Sequence, residues 1–553
     1  TLEGPLSRNK KTTFLASARR SYLQLLFKSF DIPIRPNYWD FQAKVTHQFN
    51  KKTTLTILGI GASDEFRCEA PKEATPEKLY TINSNVLVNQ WNYTIGASLK
   101  RNIPNGYWNL ALSRNYFNND IEKHEDNQNP TAANKTLDIV STEAETKLRF
   151  DVNKNIDGWK IAYGASTQLA DYTNNTFSVI RKEIRDASGN LVQPAVIVNF
   201  NSPLNAFFKL GAFVQAGKRF AANRIGISAG IRTDMNTFTT NGMNGLQTLS
   251  PRISVSYVLA DKWTWNSSAG IYYKIPPYTI LGFAENNNVQ VNKNARYQRS
   301  NHYTTGFEYL PNDGLRFTVE GFYKQYSHVP VSVRNGISLA NLGTDFTLLG
   351  NEAITTNGKG KVYGVEFFAQ KKLTKNFFGI LSYTFYRSLY SGSNGKYIAS
   401  SWDNRHLLSV TWGYKFPRNW ELGLKFRYQG GAPYTAFDET LSRLNYLSQG
   451  VGTLNYTQLN SNRLSGFNSS DVRIDKKWNL KKVTIDLFLD VTNWYVVKNP
   501  AIPEYTFKRN AANTAFETTD GLPVKADGSN AIPTSVKNDD PFVTPTLGVI
   551  IEF

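Results

Sequence analysis

The chain has 553 residues and a formal net charge of +19, with 13% Phe, Trp and Tyr, 1 Cys and 2 Met. The lone Cys68 excludes an intramolecular disulfide and belongs to no metal-ligand spacing. No run of about 18 apolar residues is present to form a membrane-spanning helix, although strands of about 10 alternating residues cross a bilayer without a hydropathy peak.

The charge alone would allow nucleic acid as a partner, but the chain has no zinc-finger spacing, no RNP-like sequence and no basic helix, so no nucleic-acid partner is expected. The basic balance suits anionic lipid, lipopolysaccharide or solvated side chains. In chain order, the turn "SRNKK" leads into "TTFLASARR", read as a strand running up to Arg19 and Arg20. The "ARRSYLQLLF" that follows has too short an apolar region for a twin-arginine export signal, because Lys28 and Asp31 interrupt it. Tyr22 to Phe27 fit a short amphipathic turn in an outer loop. Period-2 alternation then recurs in "WNLALSRN" and "RISVSYVL". In "LRFTVEGFYKQY", Leu315, Phe317, Val319 and Tyr323 share one face, and Arg316, Thr318, Glu320 and Lys324 share the other. "LLSVTWGYKF" and "VTIDLFLDVTN" repeat the pattern. The last segment, "PTLGVIIEF", sets Leu547, Val549, Ile551 and Phe553 in one apolar phase.

The connections alternate in length. Short turns such as "FNKKTT", "LADKW", "LPNDGL", "LTKN", "FPRNW" and "NLKKV" interleave with long polar loops at 123–138, 334–360, Gly430–Ser470 and Lys498–Pro541. Such alternation means antiparallel neighbours with every long loop at one end, as in outer-membrane barrels. Aromatics near strand ends, among them Tyr38, Trp39, Tyr107, Trp108, Trp263, Trp420 and Trp494, suit a membrane–water interface. The expectation is an all-β chain: one large antiparallel transmembrane β-barrel over 1–553, with about 20 strands.

No GxSxG, HExxH, Walker loop or CxxC occurs, so neither an enzyme nor a cofactor is expected. "IEKHEDN" gathers Glu122, His124, Glu125 and Asp126 and reads as a solvated acidic loop rather than a metal site. "SWDNRH" reads as an Asp403–Arg405 pair beside His406 at a loop-to-strand junction. Arg316, Glu320, Glu366, Asp486 and Asp490 would be costly on a lipid face, which assigns them to a polar lumen. Tyr278, Phe283, Tyr434, Phe437, Tyr446 and Tyr456 lie in the long loops amid amides and hydroxyls and are the candidate ligand-binding residues. The same rings could equally pack loops together.

Several segments in order resemble the barrel of TonB-dependent outer-membrane receptors of the Bacteroidota type: "EGPLSRNKKTTFLASARRSYL", "LSPRISVSYVL", "GIYYKIPPY", "KVYGVEFFAQKKLTKNFFGILSYTFYRS", "SWDNRHLLSVTWGYKF", "GGAPYT" and "DVTN". The resemblance implies 22 strands around a plug, with the plug, a TonB box and the first strands upstream of Thr1. It also implies cell outer-membrane localisation and import of a siderophore, glycan, peptide or vitamin, energised by a TonB-type protein. A receptor-like barrel scaffolding a surface lipoprotein is the alternative. Phe553 resembles the terminal aromatic read by the barrel-assembly machinery, and its deletion is expected to reduce membrane insertion.

Overall fold

Alternation of apolar and polar side chains puts one face of each strand in contact with water and the other with an apolar medium. Where both faces of a sheet are occupied in this way, the sheet becomes a wall. A computed structural model shows such a wall and describes residues 1–185, 188–285, 288–343, 350–537, 541 and 543–552. Phe553 lies outside the described residues. One sheet of 22 strands contains most of the chain, and every pairing in it is antiparallel between neighbours in sequence. Its edges are Leu2–Pro5 and Thr544–Glu552. The count exceeds the expected 20 because the sheet takes in the short strands Leu2–Pro5 and Tyr397–Ala399.

Connections alternate without exception. Short turns join Val196–Phe220 to Ile225–Asn236, Gln298–Asn312 to Leu315–Ser332, and Ile354–Thr374 to Phe377–Ser391. Long connections at the opposite end hold the helices Leu23–Ser29, Pro76–Ser84, Tyr278–Leu281 and Glu439–Gln449. Among the described residues, no helix is long and apolar enough to cross a membrane. The region after "ARR" is helical over Leu23–Ser29, and the arginines end the strand Thr12–Arg20.

Register fixes the two faces. Val319 pairs with Phe307 on one side and Phe367 on the other, forming an apolar row in which Val319 and Phe307 are exposed and Phe367 is half-buried. One residue later, Glu320 pairs with Gly306 and Glu366 on the opposite, polar face. Leu489 pairs with Ile474 and Leu547, again exposed and apolar. The polar face is held by ion pairs. Arg316 donates to Glu308 at 2.6 Å, Lys477 lies 3.2 Å from Asp486, and Asp490 stands opposite Arg473, which is 2.7 Å from Asp475. A charge moved between faces tests the assignment. Val319→Arg is expected to cost about 2–4 kcal/mol, and Thr318→Arg on the polar face much less, when unfolding by urea is followed in lipid vesicles.

Several strands run beyond the expected loop boundaries. Gly106–His124 and Lys135–Ile156 leave only 125–134 as a connection, and Ile354–Gly360 belongs to a strand. Beyond the bilayer no lipid covers one face of a strand, so the regular alternation stops before the hydrogen-bonded ladder does. The buried apolar clusters accordingly lie not between layers of sheet but where strand tops meet the long connections. One holds Tyr172, Leu204, Phe207, Tyr278 and Leu281; a second holds Tyr80, Tyr446, Tyr505 and Phe507; a third holds Phe200 and Phe283.

Candidate functional site

The mouth formed by the long connections is the candidate site. Its central element is the helix Glu439–Gln449. Asp438 caps it by accepting from the Leu441 amide at 2.9 Å, and Gly450 ends it in the left-handed region at φ 65°. Tyr446 projects from the helix into the second cluster, with its ring centroid 4.7 Å from Phe507 and 5.9 Å from Tyr505. Its hydroxyl shares a hydrogen bond with Thr506 at 2.5 Å. Asn445 accepts from Gln193 at 2.8 Å, and Gln449 donates to the Val179 carbonyl at 2.7 Å. Gln193 and Val179 belong to or follow the strand Trp159–Arg181, whereas the helix follows Trp420–Gln429. Ten strands of the sheet, Val196–Phe220 through His406–Phe416 with the short Tyr397–Ala399 included, lie between those two in the chain. The helix therefore bridges elements far apart in the sheet and crosses the mouth.

Other contacts complete this roof. Tyr80, in the helix Pro76–Ser84, donates to Glu504 at 2.8 Å, and Asn127 donates to the Ile82 and Asn85 carbonyls at 2.7 and 2.8 Å. Burial pushes the Glu504 carboxyl above its ordinary value, and the hydrogen bond from Tyr80 opposes that shift.

Lys123, at the outer end of its strand, donates to the Gln449 carbonyl at 2.6 Å. Burial lowers its pKa from 10.5 to about 8. The opened roof thus holds this proton more tightly than the closed one, and closure gains stability as pH rises from about 8 until, near 10, the roof tyrosines Tyr80, Tyr446 and Tyr505, whose ionisation burial disfavours, begin to favour opening. Amide exchange of the helix Glu439–Gln449, corrected for its intrinsic rate, is expected to show growing protection over that window. In Lys123→Met this increment is expected to vanish.

The candidate aromatics divide between packing and open surface. Tyr278 is buried, and its hydroxyl joins Lys209 and Glu145, themselves 2.5 Å apart, tying a long connection to the wall. Phe283 is buried edge-on against Phe200 at 5.1 Å. Tyr446 and Phe437 share one cluster, with Phe437 6.2 Å from Tyr505. Tyr434 is half-buried in a short strand paired with Asn462, and Tyr456 is exposed. The structure thus gathers Tyr446 and Phe437 into one cluster, places Tyr278 and Phe283 in two others, and leaves Tyr456 with the most open ring.

Asp403 is fully buried, but its partners differ from the expected Arg405. It lies 3.2 Å from Arg387 and 2.9 Å from Arg463, and it accepts from the Ser388 amide at 2.6 Å. Arg463 also donates to the Gly431 carbonyl at 2.6 Å. The pairing runs across strands and between two long connections, so proximity in sequence pointed to the wrong arginine. Arg405 itself sits in a left-handed turn at φ 68°, and His406 shares a hydrogen bond with the Tyr383 hydroxyl at 2.8 Å. In the acidic segment, His124 is buried and engaged by Asn134 at 2.9 Å, and Glu122 lies 3.4 Å from Lys135. Among the described residues, no three His, Cys, Asp or Glu side chains are grouped to hold a metal ion.

Comparison with known proteins follows the geometry. No curated protein matches the chain. Among solved structures, the chain resembles the ferripyoverdine receptor of the outer membrane of Pseudomonas aeruginosa, with TM-score 0.62 and 12% identity over 100% of this chain and 69% of that one. It also resembles the ferric-catecholate import receptor Fiu from E. coli K12, with TM-score 0.59 and 11% identity over 100% and 79%. The alcaligin outer-membrane receptor FauA from Bordetella pertussis gives TM-score 0.53 and 11% identity over 88% and 70%. At such identities the likeness is one of fold. Residues 29–493 match the family model described as TonB dependent receptor-like, beta-barrel, so this outer-membrane chain belongs to the TonB-dependent receptor β-barrel family.

Proposed function

We propose that the chain forms the wall and roof of an energised nutrient importer of the Bacteroidota type. The observation that carries this reading is the roofed mouth: the helix Glu439–Gln449 joins connections from distant strands above a polar-faced wall. A passive pore gains nothing from a hydrogen-bonded and aromatic-packed cover, whereas a receptor must hold its substrate before it releases it inward. A globular plug within the wall and a TonB-type protein acting on it from the periplasm supply the gate and the pull.

The resembled structures are receptors for ferripyoverdine, ferric catecholates and alcaligin, which makes iron complexes one class of substrate for trial beside glycans, peptides and vitamins. Tyr456 and Tyr434 offer the most accessible candidate rings for capture. Arg20, stacked over Trp39 at 5.1 Å near the outer end of its strand, suits contact with lipopolysaccharide phosphates.

A second reading, assembly with a surface lipoprotein, draws support from the exposed apolar residues Tyr22, Leu25, Phe30, Trp402 and Leu246 on the long connections. Growth of a receptor-deletion strain on single limiting nutrients separates the two. Import predicts loss of growth on one nutrient class, restored by the native gene. Assembly predicts unchanged growth and a lipoprotein that copurifies in mild detergent.

A further inference from the structure

A cavity of about 400 Å³ opens on the polar face of the wall, away from the roof contacts described above. Three guanidinium groups line it, those of Arg149, Arg232 and Arg252, together with the rings of Phe213 and Tyr272 and the amide of Gln215. Glycines let the rings lie against the wall. A Cβ at Gly164 would meet the Phe213 ring at 2.9 Å, and one at Gly270 would meet both Arg252 and Tyr272 at 3.1 Å. The Arg252 guanidinium stacks over Tyr272 at 4.3 Å, and that of Arg149 lies 6.0 Å from the Phe213 centroid.

The charges do not balance. Arg149 has Asp151 at 3.1 Å, and Arg232 is held by Asp234 through both Nε, at 2.8 Å, and Nη2. Among the described residues, no carboxylate lies within ion-pair distance of Arg252. From Tyr272 a row of rings continues around the wall. Ring centroids are 4.5 Å apart for Tyr272 and His302, 6.4 Å for His302 and Tyr326, and 5.6 Å for Tyr326 and Tyr390. Each ring of the row is half-buried.

We propose that this recess binds a carboxylate borne on a six-membered ring with a face that stacks on aromatics, as in an acidic sugar or an aromatic acid. The carboxylate takes the unbalanced Arg252, since a guanidinium fork matches a carboxylate in two parallel hydrogen bonds. The ring, and any ring units linked to it, stack along Tyr272, His302, Tyr326 and Tyr390. The volume falls in the usual range of about 300–1,000 Å³ for small-ligand sites. The inference rests on the import reading and names the substrate chemistry for it.

Calorimetric titration of the native receptor in detergent tests the recess without transport. Trigalacturonate and salicylate serve as acidic probes, and cellotriose as the uncharged ring control. One or both acidic probes are expected to bind, weaken with added salt, and outbind cellotriose by about tenfold or more. Which acidic probe binds tells the sugar from the aromatic acid. Arg252→Gln is expected to weaken that probe by about tenfold, and Tyr326→Ala by several-fold. Unchanged heat-dependent gel mobility establishes that each variant is folded. Absence of binding by both acidic probes overturns the inference, as does equal affinity in Arg252→Gln or for cellotriose. A receptor that binds as expected but supports no uptake contradicts the import reading and leaves the recess standing.

Discussion

Asp403→Ala is expected to lower the stability of the outer connections by about 3–5 kcal/mol, the range for breaking a buried ion pair by removing one partner. The carboxylate is fully buried and holds two arginines and the Ser388 amide, so its loss leaves three donors without their acceptor. The Arg387 and Arg463 side chains are 29% and 25% exposed, which lets each recover some hydration and places the effect toward the lower end of the range. Asp403→Asn keeps an acceptor for the Ser388 amide and is expected to lose less. Amide exchange over 392–405 and 430–466 measures the effect directly. Native protection in Asp403→Ala would show that the two connections are held by something else.

Phe507→Ala is the second large effect. The ring is 1% exposed and lies among Tyr446 at 4.7 Å, Phe516 at 5.6 Å and Tyr505 at 6.0 Å. Truncating a buried Phe typically costs about 3–5 kcal/mol through lost transfer energy and the cavity left behind. The cluster is local, so the cost falls on the roof rather than on the sheet, whose hydrogen-bonded ladder does not pass through it. The helix Glu439–Gln449 is then expected to release its hold on the final connection. Limited proteolysis should cut at Arg443 in the variant while the sheet stays resistant. An uncut variant would mean that the polar contacts through Asn445, Gln449 and Lys123 suffice by themselves.

The sequence made the wall legible because a bilayer imposes period-2 alternation on every strand and a length contrast on the turns. "LRFTVEGFYKQY" alone separates Val319 from Glu320 by face, and the structure pairs them accordingly with Phe307 and Gly306. Strand ends were less legible. Lys123 and Ile354 lie at strand tops covered by the long connections rather than by lipid, and the ladder there carries no regular alternation.

The roof helix had a readable signal. Asp438 before "ETLSRLNYLSQ" and Gly450 after it are start and stop residues of a helix. Polar composition on both sides made the segment resemble loop. The ion pairs at the mouth had none, because Arg387, Asp403 and Arg463 come together only through strand order and loop folding. For the same reason the loop aromatics could be found as a class but not sorted. Burial separates Tyr278, Phe283 and Tyr446 from Tyr456, and it is set by neighbours distant in sequence.

The claim that the roofed barrel imports its ligand by an energised mechanism is tested most directly by uptake of a labelled nutrient into whole cells, before and after a protonophore collapses the inner-membrane gradient. The account predicts uptake that requires this gene and stops on collapse, while ligand bound at the cell surface stays constant. Gene-dependent uptake that continues unchanged after collapse would contradict it.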